Sequence, residues 1–380
     1  MNFMTTKTMK PRSDKLRVIL SGGGTAGHIY PALSVADVLR EEGVEVLFVG
    51  ALGRMEMERV PASGYEIVGV PISGLQRRLT LRNLAVPFKM IKCTRISARI
   101  IRDFGPDAVA GFGGYASAPI VKAAQKAGIP TLLQEQNSYA GLTNRMLARR
   151  ADTICVAYEG MEKYFPAGKI LLTGNPLRGS FGDLKGKKEE AYASFGLDPR
   201  RKTILVTGGS LGTRTLNDMM LGSLEALGGL DHVQVIWQTG RYYAESVGRA
   251  VEGRQPANVW RGEFIDRMDH AYAVADVVIG RAGASTVSEL GLLGKPAVFV
   301  PSPNVAEDHQ TRNAATLVGI GAAVMVPDDR AVEKALPAAL ELLADEAGRM
   351  EMAEKIRATG RPRASRDVAG EIMKLAGRKI

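Results

Sequence analysis

The feature that most constrains this chain is a unit that recurs along it: a short β-branched run, a glycine-rich loop, then a helix-forming stretch. Residues 16–21 (LRVILS) run into GGGTAGH at 22–28, residues 106–111 (PDAVAG) into FGGYASAP at 112–119, and residues 203–207 (TILVT) into GGSLGTRT at 208–215. The fullest copy is ADVVIGRAGASTVSELGLLGKPAVFVP at 275–301. It reads as a strand at 276–280, a small-residue loop at 281–284, a helix at 285–293 stopped by Gly294, and a strand at 297–300. Strands joined through a helix in so short a span pair in parallel. The loops at 22–28 and 208–212 open two similar series, which predicts an α/β chain of two doubly wound parallel-sheet domains. A length of 380 residues suits that division better than one core.

In the 275–301 unit, Gly283 and Ala284 lack bulk, so a ligand can approach the backbone. A helix that starts at Ser285 and Thr286 presents hydroxyls and unpaired N–H groups to the loop mouth, a setting that attracts phosphate oxygens. Glu289 lies one turn further on the same face as Ser285. A carboxylate there is badly placed for phosphate and well placed to accept from ribose hydroxyls. The segment reads either as a pyrophosphate-plus-ribose pocket or as an ordinary strand–helix turn with a capping serine.

Glycines 22, 24 and 27 satisfy G-x-G-x-x-G in a strand–loop–helix context, as in a dinucleotide site. The next strand, at 44–49, ends in GALG at 50–53, where a dinucleotide domain would place its ribose carboxylate, so an NAD dehydrogenase is disfavoured. A P-loop fails as well, because His28 and Ile29 replace its lysine and hydroxyl residue. His28 is either a capping or buried structural histidine or a functional group. Its place in a glycine-rich loop at the carboxyl end of a strand favours function.

Between Gly74 and Arg102 there is no acid, and residues 74–92 interleave Leu75, Leu79 and Phe88 with Arg77, Arg78, Arg82 and Lys89. This composition suits a surface that inserts shallowly into anionic lipid, and it equally suits a packing helix with a solvated basic face. Nucleic acid is the weaker partner, since no aromatic stacking platform accompanies the charges. The formal net charge of +10 agrees with an anionic partner. Two cysteines, Cys93 and Cys155, form neither a disulfide framework nor a metal spacing and fit a reducing compartment. Residues 1–14 have no apolar stretch of signal-peptide type and read as a disordered tail. No apolar run approaches the roughly 20 residues that span a bilayer. The last strand of the first half is read at 152–156 and the crossing between domains at GNPLR, 174–178. The domains are accordingly drawn at 15–176 and 177–363, with a terminal helix at about 364–380 returning to the first.

The motifs GGGTAGH (22–28), GFGGYAS (111–117), EQN (135–137), GNPLR (174–178), GGSLGTRTLN (208–217), EFID (263–266), RAGASTVSE (281–289) and HQTRNA (309–314) resemble, in order, those of the MurG family. That family transfers N-acetylglucosamine from UDP-N-acetylglucosamine to undecaprenyl-diphospho-muramoylpentapeptide. The resemblance runs through nearly the whole chain after Lys15. It implies a GT-B fold, two Rossmann-like domains facing across a cleft, with the donor in the second domain and the lipid-linked acceptor against the first. By the same resemblance Thr25, Ala26, Gly27 and Asn137 face the donor from the first domain. Arg178 and Ser210 bind donor, Ile265 reads uracil, and Ala284, Ser285, Thr286, Val287 and Ser288 hold phosphate. Glu289 holds ribose and Gln310 the sugar, while Gly113, Gly114, Tyr115 and Glu135 lie on the acceptor side. Two positions depart from the family pattern: Ala26 stands where glycine is usual, and Gln134 where histidine is usual.

The implied chemistry is an inverting glycosyl transfer, lipid I to lipid II, at the cytoplasmic face of the cell membrane. The C4 hydroxyl of the muramoyl sugar attacks the anomeric carbon opposite UDP, preorganised N–H donors stabilise the departing diphosphate, and His28 is the candidate base. No Asp-x-Asp pair occurs in the chain, so no essential metal and no cofactor are expected. The competing readings are another GT-B lipid glycosyltransferase with a diacylglycerol acceptor, a UDP-sugar epimerase, and a non-catalytic nucleotide-sugar binding subunit.

Overall fold

The computed structural model describes residues 15–72, 86–177 and 184–377. Contacts divide the chain into Met1–Arg178 with Pro362–Ile380, and Gly179–Arg361. The first unit runs β1 (Arg17–Ser21), α1 (Ala26–Glu41), β2 (Glu45–Ala51), α2 (Glu56–Ala62), β3 (Glu66–Val70), α3 (Val86–Phe104), β4 (Ala108–Gly111), α4 (Ala118–Lys126), β5 (Thr131–Glu135), α5 (Leu142–Leu147), β6 (Thr153–Val156) and β7 (Ile170–Leu172). The second runs α6 (Lys188–Phe195), β8 (Lys202–Thr207), α7 (Arg214–Gly228), β9 (Val233–Gln238), α8 (Ala244–Ala250), β10 (Val259–Gly262), α9 (Met268–Val274), β11 (Val277–Gly280), α10 (Ala284–Leu293), β12 (Ala297–Phe299), α11 (His309–Val318), β13 (Val324–Met325), α12 (Ala331–Ala344) and α13 (Glu346–Ala358). Helix α14 (Ala364–Leu375) rejoins the first unit.

Both sheets are parallel, ordered β3-β2-β1-β4-β5-β6-β7 and β10-β9-β8-β11-β12-β13. Central strands such as β4 and β11 are buried at every position, which is why they read as continuous apolar runs rather than alternating ones. The likeness between the units extends to an aspartate just before the fourth strand of each. Asp107 Oδ2 accepts the first N–H of β1 at 2.9 Å, and Asp276 Oδ2 accepts that of Thr203 in β8 at 2.8 Å. Each aspartate ties together the two strands between which strand order reverses.

Three expectations are corrected. The first sheet does not end at 152–156, because β7 pairs beyond β6. Helix α10 begins at Ala284, one residue before Ser285. The terminal helix ends at Leu375, short of 380. Its Val368, Ala369, Ile372 and Met373 are buried with Val18, Leu20 and Ile29 in the core on one face of the first sheet. Burial of a Val, Ile or Met side chain stabilises by about 1.5–3 kcal/mol, so Val368, Ile372 and Met373 help to hold the first domain.

Candidate functional site

In an open parallel sheet, ligands bind where strand order reverses, beyond the carboxyl ends of the strands. In the first sheet that point lies between β1 and β4, and in the second between β8 and β11. The four glycine-rich loops of the sequence follow those four strands.

At the first switch point the loop after β1 carries His28 on the opening turn of α1. His28 Nδ1 lies 3.0 Å from Thr25 Oγ1 and 3.1 Å from the carbonyl oxygen of Gly23. The loop after β4 supplies the space for the ring. Gly113 and Gly114 have φ of +85° and +73°, a region disfavoured for other residues. A Cβ on Gly113 would lie 3.0 Å from His28 Cδ2, and one on Gly114 would lie 2.3 Å from Gly23 O. The Tyr115 ring packs against Gly24, since a Cβ there would lie 3.3 Å from its Cε1. Thr25 is exposed and Gly27 half-buried, while Ala26 is the first residue of α1. Under the same loop sits Glu56, fully buried, whose Oε2 accepts the N–H of Gly24 at 3.1 Å and Oε1 that of Ala51 at 3.0 Å.

A second buried carboxylate, Glu135, ends β5. It accepts from the N–H of Asn137 at 3.1 Å, Asn137 Nδ2 at 3.3 Å, the N–H of Gly141 at 3.0 Å and Asn144 Nδ2 at 2.8 Å. Burial pushes its pKa up, and these donors oppose the shift. Asn137 is thus folded onto Glu135, and Glu135 organises the loop rather than pointing out of it. Gln134 is buried, with its Oε1 accepting from Gln136 Nε2, and Gln136 Nε2 also donates to Phe112 O at 2.8 Å. The position where the family carries histidine is therefore a neutral amide that ties the EQN loop to the FGGY loop.

At the second switch point the loop after β8 interlocks with the turn after β9. Gly212 and Gly240 approach so closely that a Cβ on Gly240 would lie 2.0 Å from the nitrogen of Gly212. The N–H of Arg241 donates to Ser210 O at 3.0 Å, and the Ser210 side chain is exposed. Gln238 at the end of β9 joins the loop that carries Ser210 to the predicted Ile265, its Nε2 donating to Gly209 O at 2.9 Å and its Oε1 accepting from the N–H of Ile265 at 3.1 Å. The N–H of Ile265 is thus engaged within the protein.

The loop after β11 leads into α10. Its N-cap is Gly283, no side chain caps the helix, and no acid lies in the first turn. The first N–H groups of a helix have no partner within it, so this terminus presents donors and a positive dipole end. Ala284 and Val287 are buried, and Ser285, Thr286 and Ser288 half-buried. Glu289, one turn in, accepts the hydroxyl of Tyr272 in α9 at 2.8 Å. Burial pushes the Glu289 carboxyl up to about 7, and the Tyr272 hydrogen bond works against that rise. The Arg281 guanidinium donates to the carbonyls of Val300 and Pro301 at 2.9 and 3.1 Å and pairs with Asp328, fixing the end of β11 to the end of β12. From there the chain reaches Gln310, whose Oε1 accepts the N–H of Ser302 at 2.9 Å. Asn313 donates to Ala282 O at 3.2 Å and ties α11 to the same loop.

Ser210, Ile265, Ala284 to Glu289 and Gln310 therefore all lie beyond carboxyl ends of the second sheet. His28, Gly113, Gly114, Tyr115, Glu135 and Asn137 lie at those of the first. Arg178, Leu75, Arg77, Arg78, Leu79 and Arg82 fall outside the described residues, and Phe88 and Lys89 lie in the first turn of α3. Sequence reasoning missed Glu56, Tyr272, Gln238 and Arg281. For Glu56 a signal was present: glycines at 23 and 50 whose missing side chains leave room for something buried. A Cβ on Gly23 would lie 2.1 Å from Glu56 Oε1, and one on Gly50 2.6 Å from its Cγ.

Known proteins match this architecture along its length. The glycosyltransferase family 28 N-terminal domain matches residues 18–156, and the family 28 C-terminal domain matches residues 203–368. The UDP-N-acetylglucosamine–N-acetylmuramyl-(pentapeptide) pyrophosphoryl-undecaprenol N-acetylglucosamine transferase of Parabacteroides distasonis is 50% identical over 367 residues, covering 96% of this chain and 100% of the relative. Its namesake from Bacteroides fragilis is 50% identical over 369 residues, covering 96% and 97%. The crystal structure of Acinetobacter baumannii MurG aligns with a TM-score of 0.77 at 33% identity over 94% of this chain and 99% of its own. The calicheamicin glycosyltransferase CalG4, at 16% identity and a TM-score of 0.71 over 96% of this chain and 99% of its own, shares the fold alone. Two parallel-sheet domains, a family 28 match across both and half-identical relatives over the full length establish that this chain belongs to the MurG family of glycosyltransferases.

Proposed function

We propose that this protein moves N-acetylglucosamine from UDP-N-acetylglucosamine to the C4 hydroxyl of undecaprenyl-diphospho-N-acetylmuramoyl-pentapeptide, forming lipid II for peptidoglycan synthesis. The observation that carries the donor assignment is the first turn of α10: an uncapped helix start without acids, followed one turn later by a carboxylate. This arrangement suits a diphosphate next to a ribose. Along the same rim, the carbonyl of Ile265 reads the uracil, Ser210 and the N–H groups of Ala284 to Ser288 hold the diphosphate, Glu289 accepts from the ribose hydroxyls, and Gln310 donates to the sugar. Arg178, Thr25, Ala26, Gly27 and Asn137 complete the donor contacts.

In the transfer, the bond between the anomeric carbon and the UDP oxygen breaks as the bond to the acceptor C4 oxygen forms on the opposite face. The acceptor proton passes to His28 Nε2. Charge accumulates on the departing diphosphate, where fixed backbone donors stabilise it without reorganising. Gly113, Gly114, Tyr115 and Glu135 shape the acceptor side. The basic and apolar residues from Leu75 to Lys89 dock the protein peripherally on anionic lipid at the cytoplasmic face of the membrane. That reading is supported by their composition, and no helix among the described residues is long and apolar enough to cross a bilayer.

The decisive assay follows UDP release from UDP-N-acetylglucosamine with a short-chain lipid-linked muramoylpentapeptide, with diacylglycerol, and with neither, each with and without EDTA. Release with the muramoyl lipid alone, undiminished by EDTA, is expected. Release with diacylglycerol instead would reassign the acceptor, and binding without release would make the protein a non-catalytic subunit. Sedimentation with phosphatidylglycerol vesicles but not with phosphatidylcholine vesicles is the expected membrane behaviour.

A further inference from the structure

One peptide group in the loop after β1 is held at both ends. Its N–H, that of Gly24, donates to Glu56 Oε2 at 3.1 Å, and its carbonyl, that of Gly23, lies 3.1 Å from His28 Nδ1. We propose that Glu56 is a positioning residue for the transfer: through the Gly23–Gly24 peptide it holds His28 with the proton on Nδ1 and the lone pair on Nε2. The proposal rests on the reading of His28 as the base.

The Gly23 carbonyl gives the direction of the bond that the proposal needs. A carbonyl oxygen only accepts, so the ring nitrogen facing Gly23 O carries the hydrogen. Thr25 Oγ1, at 3.0 Å from the same nitrogen, accepts a share of it in this tautomer and would donate to the nitrogen in the other. A carboxylate accepting from an amide N–H polarises that amide and makes its oxygen a stronger acceptor. The carbonyl then plays the part that an orienting acid plays beside a catalytic histidine, fixing the tautomer and stabilising the imidazolium formed on proton uptake. Three glycines make the arrangement possible. Side chains on Gly23 or Gly50 would overlap Glu56, and one on Gly114 would overlap the carbonyl of Gly23. Tyr115, whose ring lies against Gly24, is a further titratable group packed on this loop, and Glu135 sits at the end of β5 against Asn137, Gly141 and Asn144. The plainer alternative is that Glu56 merely satisfies two loop N–H groups, and the two readings differ in what they predict for His28.

The test combines imidazole nitrogen NMR of the full-length protein with kinetics. With four histidines in the chain, His28→Ala assigns the His28 signals by their disappearance. The wild-type spectrum is expected to show hydrogen on Nδ1 of His28. Glu56→Gln places an amide N–H₂ against one of the two backbone donors, so the tautomer shifts toward hydrogen on Nε2. The acid limb of the kcat–pH profile moves to lower pH, because the imidazolium loses its support. Turnover is expected to drop roughly tenfold or more, part of the roughly 10²–10⁴ contributed by a general base, while KM for UDP-N-acetylglucosamine stays within about twofold. In a His28→Ala background Glu56→Gln should cost nothing further. Hydrogen on Nε2 in the wild type would overturn the proposal, and so would an equal loss from Glu56→Gln with and without His28. Normal turnover by His28→Ala would remove the base and the proposal with it, whereas a His28-dependent enzyme with additive losses sinks the relay alone. Should Glu56→Gln not fold, as read by thermal melting, the wild-type tautomer decides.

Discussion

The loops that follow β1 and β11 share a sequence grammar of strand, glycines and helix, yet they differ in the charge that lies beneath them. Beneath the first lies a buried carboxylate that already occupies the N–H of Gly24, and β5, two strands away in the same sheet, ends in another, Glu135. Both loops lead into helices whose first turns hold no acid and whose starts no side chain caps, so the difference lies in the carboxylate beneath the first loop. A glycine-rich loop therefore specifies room, not charge. What binds there depends on whether the backbone donors are already engaged. The first loop matches G-x-G-x-x-G and still makes a poor diphosphate site, because an anion would face Glu56. It suits the proton uptake proposed for His28. The second lacks the fingerprint and has the donors that a diphosphate requires.

The contrast predicts that lesions at the two loops separate kinetically. His28→Ala should give the largest effect, a loss of roughly 10²–10⁴ in kcat with KM for the UDP-sugar nearly unchanged, in steady-state assays at saturating acceptor. A large rise in KM instead would erase the distinction. Next comes Gly240→Ala. Gly240 has φ of +81°, and its added Cβ would meet the backbone nitrogen of Gly212. Strain of this kind costs about 1–3 kcal/mol before the clash is counted, so UDP binding by calorimetry should weaken by tens of fold or more and the melting temperature fall. Glu289→Gln should follow, raising KM for UDP-N-acetylglucosamine by about tenfold, in line with about 1.5–3 kcal/mol for hydrogen bonds to a charged group, while kcat changes little.

Much of this was legible in the sequence, and the parts that were not have identifiable causes. The runs at 16–21 and 276–280 read as strands because both of their faces are buried, which removes alternation and leaves continuous apolar sequence. Strand β7 escaped because three residues on a half-exposed edge carry no measurable period. The start of α10 was read one residue late because Ser285 looks like a cap, whereas the chain caps with Gly283 and lets Ala284 open the helix. Glu56 escaped for a tertiary reason. In RMEMER at 54–59 it is one acid among alternating charges on a short helix, and it is buried only because Gly23 and Gly50 leave it space. A lone histidine in a glycine loop drew attention from its own neighbours, while the carboxylate behind it lies 28 residues away in sequence and announces nothing locally.

The smallest expected effect tests how finely the second loop is tuned. Glu289 stands at about 7 rather than its ordinary 4.5, raised by burial, with the Tyr272 hydroxyl holding it lower than it would otherwise be. Between those values the folded protein holds a proton that the unfolded chain has lost, so this group makes stability fall as pH rises from about 4.5 to about 7. Donor binding runs the other way. In the ribose-holding role proposed for Glu289, an ionised carboxylate would accept from hydroxyls more strongly than the acid, so affinity for UDP-N-acetylglucosamine should increase from pH 6 to pH 8. Tyr272→Phe removes the hydrogen bond that favours ionisation, moving this rise to higher pH. The affinity loss at pH 7 should stay below about tenfold, as expected of about 0.5–1.5 kcal/mol for one hydrogen bond, and shrink at pH 9. Glu289→Gln should abolish the rise in both backgrounds. Calorimetric titration of the wild type, the two single variants and the double variant across this range separates the outcomes. A pH rise that survives in Glu289→Gln would mean that some other group controls the donor site, and the tidy opposition between an acid-lined first loop and an acid-poor second one would then need redrawing.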